Sequence, residues 1–106
     1  MSLNGTYKCA QLGATLEITE SNNSNGQGSG TFTIGGNSYP VNLHYHFENN
    51  VGPKTVLQIW ASRVTAWDYL GAAGNTASTD GSAGITLCGG VSSIGTASGF
   101  SGLFTK

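Results

Sequence analysis

Apolar and polar residues alternate along most of this chain, and this period of two restricts it to β-structure. The segment SYPVNLHYHF, residues 38–47, shows the alternation most clearly. One face of this segment holds Tyr39, Val41, Leu43, Tyr45 and Phe47. Successive side chains of a strand point to opposite sides of a sheet, so this pattern predicts a strand with one covered face. No segment of the sequence shows the period of a helix.

Seven other segments continue the pattern, and clusters of Gly, Asn, Ser and Pro separate most of them. These segments are GTYKC, ATLEITE, SGTFTIG, KTVLQIWASR, VTAWDYLGAA, GSAGITLCGGV and TASGFSGLFT. Such clusters form turns, and short turns join antiparallel neighbours. Eight strands are also the number at which a sheet closes into a small barrel. The prediction is all-β, an eight-stranded antiparallel up-and-down β-barrel that forms a single domain over residues 1–106.

The composition excludes several classes of function. Charged residues make up 8% of the chain and the net charge is −1, which predicts no binding to nucleic acid or to an anionic membrane surface. No apolar run reaches the ~18 residues of a membrane-spanning helix, and no signal peptide is recognised. Met1 to Leu3 fit an expression remnant in place of a removed signal. Because the surface is poor in Lys and Glu, we expect a secreted or periplasmic protein, and we expect no cofactor.

His44 and His46 are two residues apart on one predicted strand face, a spacing that can supply two zinc ligands. A zinc site needs a third ligand, the sequence has no other His, and Glu48 lies at the strand end. The alternative is a solvated outer face opposite the Tyr, Val and Leu stripe. We prefer this alternative and expect no metal site.

Asp68, Tyr69 and His44 could be combined into an acid–base group. However, the five carboxylates form no recognisable catalytic pair, and the serines are scattered without a nucleophile elbow. These carboxylates belong to Glu17, Glu20, Glu48, Asp68 and Asp80. We therefore expect a protein that is not an enzyme and has no catalytic residues.

Trp60 and Trp67 allow two interpretations. Both indoles can fill the core of the barrel. Alternatively, both can line a cavity inside it, where flat aromatic walls enclose an apolar ligand.

Several segments resemble, in order and spacing, the avidin/streptavidin family, and the resemblance covers about residues 5–106. They are Gly5-Thr6-Tyr7 with Leu12-Gly13-Ala14-Thr15, Gly30-Thr31-Phe32, YPVNLHYH, Ile59-Trp60, Thr65-Ala66-Trp67 and the closing LFTK. The resemblance implies an eight-stranded antiparallel barrel that binds biotin at one end.

Residue by residue, the resemblance indicates that the biotin site is mostly lost. The family's Asn, Ser and Tyr, which bond the ureido oxygen, correspond here to Cys9 (or Ala10), Ala14 and Phe32. The Asp that accepts a ureido N–H corresponds to Gly102. None of these replacements has a strong hydrogen-bonding side chain. High-affinity biotin binding is therefore not expected.

The family's aromatic and hydroxyl contacts are kept in part. Trp60, Thr65 and Trp67 match the family's pattern, and Phe32 and Tyr69 join them as expected walls of a site at the barrel mouth. The resemblance therefore implies a small-molecule ligand other than biotin.

The resemblance also places Cys9 and Cys88 inside the barrel near the pocket floor, with Gly102 on the strand between them. A disulfide between the two cysteines would occupy the space of the ureido head. The alternative is two separate buried thiols.

A homo-oligomer is expected, because the family pairs through outward faces of its later strands. If Cys88 points inward, Ile85 and Leu87 point outward and form a twofold interface. A bulge near Gly89-Gly90 would reverse this orientation.

Two functions remain open. A ligand-sized cavity would favour a small-ligand binder. A barrel filled by its own side chains, with an exposed apolar patch, would favour a protein-binding barrel such as an inhibitor of a secreted hydrolase.

Overall fold

Each of the alternating segments contributes a strand to the computed structural model, which describes residues 2–48, 54–61, 69–93 and 95–106. The strands are β1 (Gly5–Cys9), β2 (Ala14–Asn22), β3 (Gln27–Ile34), β4 (Asn37–Phe47), β5 (Thr55–Ala61), β6 (Tyr69–Thr76), β7 (Ile85–Ser93) and β8 (Thr96–Phe104). No helix in these ranges is long and apolar enough to cross a membrane.

Every strand pairs antiparallel with its neighbour in the chain, in the order β1-β2-β3-β4-β5-β6-β7-β8. The predicted all-β, up-and-down arrangement of eight antiparallel strands is confirmed, and the sheet is a curled half-barrel. Its first and last strands meet at one bridge, where Lys8 N donates to Thr105 O at 2.7 Å and Thr105 N donates to Lys8 O at 2.9 Å. The sheet is therefore closed by backbone bonds at this one point.

Local sequence explains two of the bends that shape the sheet. Gly35 and Gly36 form the two-residue turn between β3 and β4 with φ of +60° and +80°. Positive φ at both central residues is what a tight hairpin turn needs, and glycine adopts it without steric cost. In β2, the register with β3 shifts between Ile18 and Glu20, which bends the strand.

The two ends of the half-barrel differ in how they are closed. At the packed end, residues 77–84 connect β6 and β7 and lie over Tyr7, whose hydroxyl is 3.3 Å from the carbonyl oxygen of Asp80. Leu3 and Phe104 are fully buried there. The open end carries the β1–β2, β3–β4 and β7–β8 turns. Leu3, predicted to be part of an expression remnant, is thus part of the core.

Strand β7 presents the faces opposite to those expected. Ile85 and Leu87 are fully buried, whereas Cys88 is exposed. The pairing of β7 with both neighbours is continuous, so no bulge causes this orientation. Alternation along the strand turns both aliphatic side chains into the core, where burial stabilises each by roughly 1.5–3 kcal/mol. The expected interface through Ile85 and Leu87 is therefore wrong.

The expected disulfide is also wrong, because Cys9 and Cys88 are both free thiols on opposite faces of the sheet. Gly102 does face Cys9 as expected, since a Cβ at Gly102 would lie 2.8 Å from Cys9 Sγ. However, Gly102 pairs with Leu87, and Cys88 pairs with Ser101. Of the two alternatives, separate thiols are observed, but only Cys9 is buried.

Candidate ligand site at the open end

A cavity of about 250 Å³, here called the mouth cavity, opens at the turn between β3 and β4. It is lined by Ile34, Gly35, Asn37, Tyr39, Val91, Ser92, Thr96 and Ser98. Strands β3 and β4 supply one wall, and β7 and β8 supply the other. Residues about 60 positions apart in sequence thus meet because the sheet curls.

The lining of the mouth cavity combines apolar walls with neutral polar groups. Tyr39, Ile34 and Val91 are half-buried and pack against the core. The Asn37 amide and the hydroxyls of Thr96 and Ser98 can donate and accept hydrogen bonds. No residue of the lining carries a formal charge at neutral pH. Such a site suits a small, uncharged ligand with polar groups of its own.

Three phenylalanines fill the interior below this level. The Phe32 ring stacks on Phe100 with centroids 5.4 Å apart and lies 5.7 Å from Phe104. Phe32 is fully buried. The expected ligand wall at Phe32 is therefore part of the packed interior, and Phe100, which the sequence did not single out, lies beside it.

Trp60 and Tyr69, the other described members of the expected wall, lie on the outer face of the sheet. Trp60 shares its face of β5 with Val56 and Gln58, while Ile59 and Ala61 are buried. Tyr69 is 56% exposed. Neither side chain lines the interior, so the expected placement of both is wrong. Thr65 and Trp67 lie outside the described residues.

The outer face holds a second depression, here called the outer groove, of about 530 Å³. Its residues include Tyr69, Gly71, Gly90, Ser92, Ala97 and Gly99. Gly71 pairs with Gly90, which pairs with Gly99, so three glycines leave the backbone bare across β6, β7 and β8. The depression forms because its floor lacks side chains, and Tyr69 lies at one side of it.

The histidine pair lies on the outer face, as its alternation predicted. His46 Nε2 is 2.8 Å from Glu48 Oε1, and both side chains are substantially exposed. His44 pairs with Gln58 on β5. Within the described ranges, no three His, Cys, Asp or Glu residues are grouped closely enough to hold a metal ion.

The structure describes two of the three residues considered for acid–base chemistry, and it does not bring these two together. His44 lies on β4 and Tyr69 on β6, with β5 between them. Asp68 lies outside the described residues.

Tyr7, which the sequence did not single out, has a strongly raised pKa. Its hydroxyl donates to the Leu3 carbonyl oxygen at 2.6 Å. Burial, followed by the nearby Asp80 charge, raises the pKa of Tyr7 to about 12. The Lys106 ammonium lies 5.3 Å from the Tyr7 ring centre and donates to the Asp80 carbonyl oxygen at 2.9 Å. These contacts fasten the two chain termini to the loop over the packed end, which is a structural role.

The remaining shifts are also structural. Burial raises the pKa of Tyr45, whose hydroxyl donates to Asn23 Oδ1 at 2.7 Å. Hydrogen bonds from Ser82 lower the pKa of Asp80. Neither group lines the mouth cavity.

Comparison with known proteins returned no matching family model, curated protein or solved structure. The function of the chain has to follow from its own residues.

Proposed function

We propose that this chain is a non-enzymatic, secreted or periplasmic binding protein that holds a small, uncharged ligand in the mouth cavity. The observation that carries the proposal is the contrast within the interior. Phe32 and Phe104 are fully buried and pack against each other in its lower part, while Tyr39, Val91 and Ser98 line a cavity above them. A cavity of about 250 Å³ is just below the usual range of ligand sites, roughly 300–1,000 Å³. The ligand is therefore small, or only part of it enters.

An avidin-like barrel that has lost biotin binding is the family proposal that fits this interior. Of the positions corresponding to the ureido partners, Cys9, Ala14 and Phe32 are buried, and Ala10, the alternative to Cys9, is exposed. Each hydrogen bond missing to a buried ligand group costs about 1–3 kcal/mol. Biotin is therefore expected to bind with a dissociation constant weaker than about 1 μM, or not at all. Titration calorimetry that gave a tighter constant would contradict this proposal.

The mouth cavity is tested with neutral probes of matching size. Benzamide, indole and 2-imidazolidinone are titrated at millimolar concentration into labelled protein, and amide chemical shifts are recorded. We expect at least one probe to shift the amides of Ile34, Val91 and Ser98, which line the cavity. Tyr39→Ala should weaken this binding at least fivefold, while Tyr69→Ala, a matched change on the outer face, should leave it unchanged. No shift with any probe, or equal loss in both variants, would argue against the site.

A protein-binding barrel is the second candidate, and the outer groove favours it. Among the described residues, the large exposed apolar side chains are Phe47, Tyr69 and Leu103, and two of these lie on the outer face of β6 to β8. A panel of secreted proteases and glycosidases can be assayed for inhibition by the purified chain. Inhibition that Tyr69→Ala abolishes and Tyr39→Ala preserves would establish this second function instead of the first.

A further inference from the structure

Strand β8 has one fully bonded edge and one almost unbonded edge. Over its whole length, Thr96–Phe104, it pairs with β7. On its other side, β1 is only five residues long, and the two strands are joined by the single Lys8–Thr105 bridge. The half-barrel therefore exposes a seam along most of β8.

The direction of the bridge identifies the unbonded groups of this seam. Thr105 turns both its N–H and its C=O towards β1. Because these directions alternate along an antiparallel strand, every second residue before Thr105 faces the same way. These residues, here called the β8 edge, are Ala97, Gly99, Ser101 and Leu103, and all four are exposed. Within the described ranges, the backbone bonds outside the strand ladders include none to the β8 edge.

Among the described residues, side chains cover the interior behind the seam but form no hydrogen bonds to the backbone groups of the β8 edge. Phe100 stacks on Phe32 across the gap, and a Cβ at Gly102 would lie 3.0 Å from Leu12 Cδ1 of the β1–β2 turn. These inward-facing residues alternate with those of the β8 edge. The core is thus covered while the edge groups remain available for bonding from outside.

The β8 edge also lacks the features with which proteins usually protect an exposed strand. Its strand has the sequence TASGFSGLF, without a charged residue or a proline. Its register with β7 has no bulge. Short strands, lysines, prolines and bulges are the usual protection against pairing with another chain. The strand on the other side of the seam, β1, is short and carries Lys8.

We propose that two copies of this chain pair through β8, antiparallel and related by a twofold axis beside Phe100. In this register, Gly99 faces the partner's Ser101, and Ala97 faces the partner's Leu103. The four edge residues of each copy then exchange about eight backbone hydrogen bonds with the other. The β8 edge takes the place of Ile85 and Leu87 as the contact between copies, because both of those residues are buried within one chain.

A second copy is the occupant that the geometry favours over another protein. An exposed strand edge can pair antiparallel with the same edge of a second copy. In a twofold pair the β8 edges of both copies are bonded to each other, so assembly stops at the dimer. The strand bears no charge that would repel its copy or select a charged partner. Pairing would also cover part of Leu103, which is 53% exposed. The proposal does not depend on the ligand in the mouth cavity.

The test is the solution mass of the full chain and of Ser101→Pro. Proline removes an edge N–H that does not bond β7, so the β7–β8 ladder is kept. We expect the wild type at about 100 μM to sediment at twice the monomer mass of 10.8 kDa. Ser101→Pro should be a folded monomer by circular dichroism, and Ser101→Thr, which keeps the N–H, should remain a dimer.

If Ser101→Pro fails to fold, Ser101→Lys takes its place, because it places like charges near the axis and leaves the backbone intact. Hydrogen exchange supplies the second measurement. In the wild type, the amides of the β8 edge should gain at least tenfold protection as concentration rises. A wild type that remains monomeric at 100 μM overturns the proposal. So does a dimer that persists in the folded proline or lysine variant, or one that protects the outer groove instead of the edge.

Discussion

The packed end and the open end of the half-barrel are built from the same eight strands, yet they are closed by different means. At the packed end, buried polar groups are hydrogen-bonded to one another, as where the Tyr7 hydroxyl donates to the Leu3 carbonyl oxygen. At the open end lie the mouth cavity and the outer groove, and the β8 edge runs from this end along most of the strand. The difference separates an end that is closed by its own contacts from an end that carries the proposed ligand site.

The comparison also holds between the two faces of a single strand. In β7, Leu87 is fully buried, and its chain neighbour Thr86 is exposed. Changes at inward positions should therefore alter the fold, whereas equal changes one residue away should have little effect.

The largest expected effect is that of Leu87→Glu. This variant should fail to fold, because it removes roughly 1.5–3 kcal/mol of apolar burial and places an unpaired carboxylate in the core. Thr86→Glu is the matched control on the outer face and should fold like the wild type. Circular dichroism and thermal melting distinguish the two. A folded Leu87→Glu beside an unfolded Thr86→Glu would reverse the orientation assigned to β7.

Thiol reactivity should differ sharply between the two cysteines. Cys88 is exposed and Cys9 is buried, so Ellman's reagent should titrate one thiol in the native protein and two in denaturant. Cys88→Ser should remove the native signal completely. Finding no reactive thiol in the denatured, unreduced protein would instead reveal a disulfide.

A glycine-to-alanine substitution adds one methyl group, and it should lower the free energy of unfolding more at an inward-facing glycine than at an outward-facing one. A Cβ at Gly102 would crowd Cys9 Sγ and Leu12 Cδ1, so Gly102→Ala should lower the free energy of unfolding by about 1–3 kcal/mol. A Cβ at Gly71 meets nothing within 4 Å. Gly71→Ala should therefore change the free energy by no more than about 0.5 kcal/mol. Urea unfolding measures both, and equal losses would contradict the open outer face.

Alkaline pH should weaken the packed end through Tyr7. Its pKa is about 12 in the folded protein against 10.0 for an ordinary tyrosine, so the unfolded chain releases this proton first. The stabilisation that the protonated Tyr7 hydroxyl adds to the free energy of unfolding is complete below pH 10 and is lost as the pH rises towards 12. Urea unfolding of the wild type should show a steeper loss of stability above pH 10 than Tyr7→Phe. Parallel pH dependences would contradict the raised pKa.

Zinc should have the smallest effect. His46 is already beside Glu48, and the two histidines have no third ligand grouped with them in the described ranges. Zinc added to the purified protein should leave its melting temperature unchanged. A rise in melting temperature that His44→Ala abolishes would show that the outer face binds metal.

The sequence alone determined the strands and their order. Alternation with a period of two fixes each strand locally, as in residues 38–47, and short turns such as Gly35-Gly36 leave antiparallel pairing with the chain neighbour as the simple solution. It also determined the outward placement of His44 and His46, because their strand is apolar on only one face.

Only the tertiary structure decided which side of an ambiguous strand faces the core, and where the sheet remains open. The segment VLQIWA is apolar on both faces, so periodicity could not place Trp60 outside, and the pairing of β5 with its neighbours did so. In β7, the alternation itself favours Ile85 and Leu87 inside, but the resemblance suggested the reverse. The mouth cavity and the β8 edge depend on the curvature of the whole sheet. Curvature joins Tyr39 to Ser98 and separates β1 from most of β8, and no local pattern encodes such distances.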